Sequence, residues 1–174
     1  MKKTGFTLIE LMIVLAILGL VSVLVLPNFM KKNASKQRSE SIEQLNGLLH
    51  FAWQQSVTQA KPHQILFNFE KKTISLYQGK FSESKDEFEY VPLKVPHVAT
   101  TIYIPQDIRI KRFIVDGFDE MARFIGGATT ESWFFMNDRG IAQQTTIVIA
   151  QTDQPGTEFI YDVHPFTGQL IERL

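Results

Sequence analysis

The sequence predicts an α+β protein: a long amino-terminal stem helix, apolar in its first half and amphipathic in its second, packed on an antiparallel β-sheet domain. Three observations predict it. A run without charge extends from Leu11 to Leu26. Apolar residues then recur at spacings of three and four between Ile42 and Val57. Beyond Lys61 the period changes to two, and short strand-like runs alternate with turn residues.

Composition bounds what such a chain can do. It has 174 residues, so once the first thirty or so are set aside the remainder is the size of one ordinary domain. Its 18 basic and 18 acidic residues cancel, which removes any global attraction to nucleic acid and leaves only a local patch as a route to it. Cysteine is absent, which excludes disulfide staples, thiolate metal sites and a cysteine nucleophile. Fourteen phenylalanines suit a sheet-rich core, where aromatic side chains fill a pleated surface.

The first element is the apolar run. Counted back to Phe6 it holds about twenty residues, enough to cross a hydrocarbon core of roughly 30 Å as a helix. One residue resists that reading. Glu10 places a carboxylate near the start of the run, at about 2.5–3.5 kcal/mol on insertion scales. A cleaved signal peptide would use Lys2 and Lys3 as its basic region, yet "SVLVLPNF" offers no small-residue cleavage site. A plain signal anchor, holding a periplasmic enzyme to the membrane, leaves Glu10 without a purpose.

Pro27 is expected to kink the helix without ending it, since membrane-embedded helices tolerate proline. From Ser35 to Ala60 the positions Ile42, Leu45, Leu48, Leu49, Ala52, Trp53 and Val57 make one apolar stripe, with Lys36, Arg38, Glu40 and Glu43 on other faces. Pro62 closes the helix. Unbroken from Phe6 to Ala60, the stem would measure on the order of 80 Å.

The β-rich remainder opens with "HQILFNFE" and "KTISLYQ", which set Ile65, Phe67, Phe69, Ile74 and Leu76 on one face around a turn at Glu70–Lys72. The polar stretch from Gln78 to Tyr90 reads as a loop. "EYVPL", "VATTIYI" and "DIRIKRFIV" are further strands, and Asp116–Ser132 is a long connection with a short helix near Asp119–Phe124. Four strand-like runs finish the chain: "SWFFMNDRGIA", "TTIVIAQT", "TEFIYDVHP" and "GQLIERL". With turns at Asn137–Gly140, Gln154–Gly156 and Pro165–Gly168, they suggest an antiparallel meander.

No constellation carries catalysis. His50, His63, His97 and His164 are dispersed, without metal-ligand spacing. Asn137-Asp138-Arg139-Gly140 lacks the alternating carboxylates of a calcium loop and reads as a hairpin turn. Gly126-Gly127 lacks the strand, helix and lysine of a phosphate loop, and there is no G-x-S-x-G. Neither a cofactor nor a metal is expected. Lys31, Lys32, Lys36 and Arg38 cluster after the apolar run, as a collar facing lipid headgroups or as contacts to neighbouring subunits.

A resemblance resolves Glu10. The segment "KKTGFTLIELMIVLAILGLVSVLVLP" resembles the amino terminus of type IV pilins and of the pseudopilins of type II secretion: a basic leader ending in Gly5, then Phe6-Thr7-Leu8-Ile9-Glu10, an apolar run and Pro27. The resemblance implies that prepilin peptidase cuts between Gly5 and Phe6 and methylates the new amine, making Phe6 N-methylphenylalanine. It divides the chain into a leader (1–5), a transmembrane and fibre-core helix (6–27), an amphipathic stem (28–61) and a periplasmic domain (62–174). It also implies that Glu10 meets the terminal amine of an adjacent subunit and sets the stagger of the fibre. Physical chemistry agrees, because pairing relieves two charges that are costly to bury alone.

Within that family the domain is similar to H-type minor pseudopilins, on "SWFFMNDRGIAQQTTIVIA" and "FIYDVHPFTGQLIERL". That implies a non-enzymatic subunit of a periplasmic pseudopilus, anchored in the bacterial inner membrane. Its partners would be prepilin peptidase, the major and other minor pseudopilins, the inner-membrane secretion platform and secreted cargo. The alternative is a minor pilin acting in adhesion, motility or DNA uptake, the last requiring a basic patch that could include Lys111 and Arg112.

Overall fold

The computed structural model describes residues 8–30, 34–84, 86–152 and 156–173, with the side chains of the first helix described from 8 to 21 and all others from 36 onward. The chain divides into two units, Met1–Asn33 and Ala34–Leu174. The first contains one helix, α1 (Leu8–Met30), which continues through Pro27. Its described side chains, at 8–21, are all exposed and, Glu10 apart, apolar. Among the described residues no helix is long and apolar enough to cross a membrane; the expected span over 6–27 begins and ends outside the described side chains.

The second unit begins with α2 (Ala34–Gln59). Its expected stripe is the one that is buried. Leu45, Leu48, Leu49 and Ala52 are almost fully covered, Ile42 and Trp53 partly so, and Val57 lies at the exposed rim. Each leucine so buried is worth about 2 kcal/mol relative to exposure. The helix stops where Ala60 turns into the left-handed region at φ 49, two residues before Pro62.

Two antiparallel sheets follow. In the first, β1 (His63–Asn68) and β2 (Thr73–Ser82) form the expected hairpin, in register from His63 opposite Gln78 to Asn68 opposite Thr73. Ile65, Phe67, Ile74 and Leu76 point into the core, while Phe69 falls just past the strand and is half-buried. The side chain of Asn68 closes the turn by accepting the Lys71 N–H at 2.6 Å. β3 (Glu87–Pro92) then pairs with Tyr77–Ser82. Gln78–Tyr90 is therefore a strand hairpin, not the expected loop. Beyond Gly79 neither of its faces is buried, so no apolar alternation marks it; an edge-to-face pair of Phe81 and Phe88, 5.5 Å between centroids, holds it instead. β4 (Thr101–Tyr103) pairs with the other end of β2.

The second sheet starts with β5 (Ile108–Val115), whose register shifts between Ile110 and Arg112, leaving Lys111 as the extra residue of a bulge. β6 (Phe118–Asp119) turns back on it and leads into α3 (Glu120–Ile125), capped by the Asp119 carboxylate, which accepts the Met121 N–H at 3.1 Å. β7 (Glu131–Met136) returns to the first sheet beside β1. β8 (Thr145–Gln151), β9 (Glu158–Val163) and β10 (Leu170–Arg173) complete the second sheet in the order β10-β9-β8-β5-β6. The expected meander thus holds for the last three strands and fails for β7. The turn between β7 and β8 is as tight as its residues promise: Asn137 Oδ1 accepts the N–H groups of Arg139 and Ile141 at 2.9 and 2.8 Å. The chain then changes sheets at Ala142–Gln144, a switch that strand patterning alone does not signal.

A single core joins α2 to both sheets. Phe113 of the second sheet lies 4.6 Å from Phe67 and 6.5 Å from Phe134 of the first, centroid to centroid, in tilted contact. Gly168, at φ 68, lets the last turn close onto α2; a Cβ there would meet Met136 Cε at 2.7 Å and the Leu49 carbonyl at 3.3 Å.

Candidate functional site

The chemistry-bearing residue of the first unit is Glu10, in the first turn of α1. A carboxylate there is favoured by the positive end of the helix dipole. Around it the surface is apolar, with Leu8 77%, Ile9 67% and Leu11 57% exposed. A helix with no polar face is stable only when something apolar covers it, either lipid or other helices. Gly5, Phe6, Lys31 and Lys32 lie outside the described residues.

In the second unit the notable polar groups fasten α2 to the sheets. Arg38 is only 18% exposed and pairs with Glu172 Oε1 at 3.3 Å, donates to the Tyr161 hydroxyl at 3.3 Å, and stacks on Phe159. It therefore does not belong to the basic collar expected from its place in the sequence. Its partners are more than a hundred residues away, and no local signal announces them. Burial raises the Tyr161 pKa, with Arg38 and Glu172 acting in opposite directions on it. Lys36 remains at the surface and forms a loose pair with Glu40 at 3.9 Å. Lys111 stands on the β5 bulge, and Arg112 is tied to Asp119 at 3.0 Å.

The histidines stay apart, and among the described residues no group of three or more His, Asp or Glu side chains could hold a metal. His63 is the one that is fully buried. Its Nδ1 lies 2.8 Å from Ser56 Oγ and 3.1 Å from the Lys61 carbonyl, while Nε2 is buried without a hydrogen-bond partner among the described residues. Burial pushes its pKa below the ordinary value, which the Lys61 carbonyl bond opposes and the Lys61 charge reinforces.

Known proteins resemble this chain in its amino terminus and in its fold. Residues 1–26 match the family described as the Prokaryotic N-terminal methylation motif. The type IV major pilin protein PilA of Myxococcus xanthus (strain DK1622) is 47% identical over 47 residues, which are 27% of this chain and 21% of PilA. The fold is shared with the minor pseudopilin EpsH from the type II secretion system of Vibrio cholerae. One EpsH structure superposes with a TM-score of 0.57 at 11% identity, over 79% of this chain and 96% of EpsH, and a second with 0.53 at 10% identity, over 78% and 94%.

The chain is type IV pilin-like. Its α+β architecture, a helix packed on antiparallel sheets, is that of a pseudopilin domain.

Proposed function

We propose that this pilin-like chain is a minor pseudopilin, an assembly subunit of a type II secretion pseudopilus. One observation carries the reading: a prepilin methylation motif at residues 1–26 precedes a domain with the EpsH fold across nearly four-fifths of the chain. Prepilin peptidase removes residues 1–5, and Phe6 becomes the N-methylated first residue. The apolar helix anchors the subunit in the inner membrane with its domain in the periplasm, then moves into the fibre core. Major and other minor pseudopilins cover its apolar surface there, and the inner-membrane platform supplies the subunits.

Glu10 acts as the register residue. Phe6 stands four residues before Glu10 in the sequence, the spacing of about one helical turn, and a neighbour's amine reaches the same depth only at one stagger. In a low dielectric the pair is attractive, and mismatched staggers leave both charges desolvated and unpaired. This is the logic by which one buried polar residue fixes register in a coiled coil. Pro27 kinks the apolar helix locally without ending it. The subunit performs no catalysis.

The experiment that tests the reading is quantitative proteomics of culture supernatants from a deletion strain and its complemented parent. Selective loss of secreted proteins with surface pili intact is expected. An unchanged supernatant with lost twitching or DNA uptake would overturn it in favour of a minor pilin.

A further inference from the structure

The outer edge of β7 is closed at both ends and open in the middle. The Glu131 N–H donates to Thr129 Oγ1 at 3.2 Å, and the same hydroxyl donates to the Glu131 carbonyl at 2.6 Å. At the other end the Phe135 N–H donates to Gln143 Oε1 at 3.1 Å, and the Phe135 carbonyl accepts the Gln143 N–H at 2.8 Å. Backbone groups alternate along an antiparallel strand, so Trp133 faces the same way as Glu131 and Phe135, away from β1. The Thr130 carbonyl confirms the parity by accepting from Phe69 on the inner side. Among the described residues nothing bonds the Trp133 N–H and carbonyl on that edge.

Beside this gap lies an open cleft of about 320 Å³, walled on the far side by Val115, Asp116, Phe118, Glu120 and Arg123. Two aromatic side chains stand exposed on it, Phe118 at 74% and Trp133 at 44%. Its charge is unbalanced. Among the described residues Arg123 is the sole cation of the lining, and it is occupied by Glu120 at 2.8 Å, whereas Asp116 and Glu131 are held by the neutral amides of Gln143 and Asn68.

We infer that this cleft receives an extended segment of a partner protein carrying an arginine or lysine, which adds to the edge of β7 opposite Trp133. Strand addition supplies two backbone hydrogen bonds at the one residue where the edge is open. The partner residue opposite Trp133 projects on the same face as the indole. A cation there stacks on the ring while the Glu131 carboxylate, two residues along the same face, balances its charge. A proline at that position cannot donate the bond. The carboxylates also turn away phosphates, which excludes nucleic acid and anionic lipid from the same place. The inference is independent of whether the fibre is a pseudopilus or a pilus.

The test uses the full chain in zwitterionic detergent and a fluorescein-labelled peptide, Thr-Val-Thr-Arg-Thr-Val-Thr, followed by fluorescence polarisation. Saturable binding below about 1 mM is expected. It should weaken by about tenfold or more when the central arginine is replaced by glutamate, or when its backbone nitrogen is methylated. Trp133→Ala and Glu131→Gln should each weaken it while leaving the thermal midpoint in place, since Trp133 is partly exposed and glutamine retains the Asn68 bond. Equal binding of the arginine and glutamate peptides, undiminished binding of the methylated peptide, or no saturation by about 1 mM would each overturn the inference.

Discussion

The guanidinium carbon of Arg38 stands 3.5 Å from the centroid of the Phe159 ring, joining the start of α2 to a strand that closes 121 residues later. Tyr161 and Glu172 complete the clasp, one on β9 and one on β10. Three different interactions converge on one side chain that is itself only 18% exposed, so its removal costs more than loss of a surface ion pair.

Arg38→Ala should therefore lower the unfolding free energy of the domain by about 2 kcal/mol, read as a lower urea midpoint with an unchanged slope. Lys36→Ala, at a residue whose side chain is 77% exposed, should stay within about 0.5 kcal/mol of the parent. Equal midpoints for the two variants would remove Arg38 from the account.

His63 makes stability depend on pH. Its folded-state pKa lies below the ordinary 6.5, with burial as the main cause. The unfolded chain therefore takes up a proton as pH falls through about 6.5 while the folded chain does not. The contribution is fully present above that pH and is lost progressively below it, towards the folded pKa. Urea midpoints measured from pH 7.5 down to 5 should fall for the parent and fall less steeply for His63→Gln; parallel slopes would contradict the assignment.

Gly140 is required both by its backbone and by its surroundings. Its φ is 76, and an added Cβ would lie 2.7 Å from Val57 Cγ2 and 2.8 Å from Trp53 Nε1 on α2. Gly140→Ala should destabilise by about 2–3 kcal/mol, from left-handed strain together with a forced shift of packed side chains. Gly117, at φ 86 with open space around it, isolates the first component, and Gly117→Ala should cost only about 1 kcal/mol. Thermal melts of the pair separate the two.

Glu10 should matter for assembly and not for folding. Glu10→Ala is expected to be cleaved, to fold and to remain in the membrane, yet to be missing from sheared fibres, with Glu10→Gln behaving the same way because the lost feature is charge. Immunoblots of membrane and sheared fractions read this directly. Normal incorporation of either variant would show that the carboxylate sets no register.

Much of this architecture was legible because apolar periodicity is strong wherever one face is buried. The α2 stripe from Leu45 to Ala52, the β1–β2 hairpin and the short helix after Asp119 follow from spacing and capping residues. The hairpin around Phe81 and Phe88 was illegible because its two faces are both solvated, which erases the period-two signal. The placement of β7 beside β1 was illegible because strand order is a tertiary choice between two sheets of similar pattern. The clasp on Arg38 and the open edge at Trp133 arise only when distant segments meet. The methylation motif at residues 1–26, by contrast, is a linear string, so Gly5, Phe6 and Glu10 could be proposed from it without any fold.

The most direct measurement is intact-mass and amino-terminal fragment spectrometry of the chain after expression with and without an active prepilin peptidase. With the enzyme, the chain should begin at Phe6 and carry one methyl group on its amine; without it, the terminus should include Gly5 and lack that methyl. A chain that keeps residues 1–5 in the presence of active peptidase, or that is cut beyond the apolar run, would contradict the proposal that this is a fibre subunit.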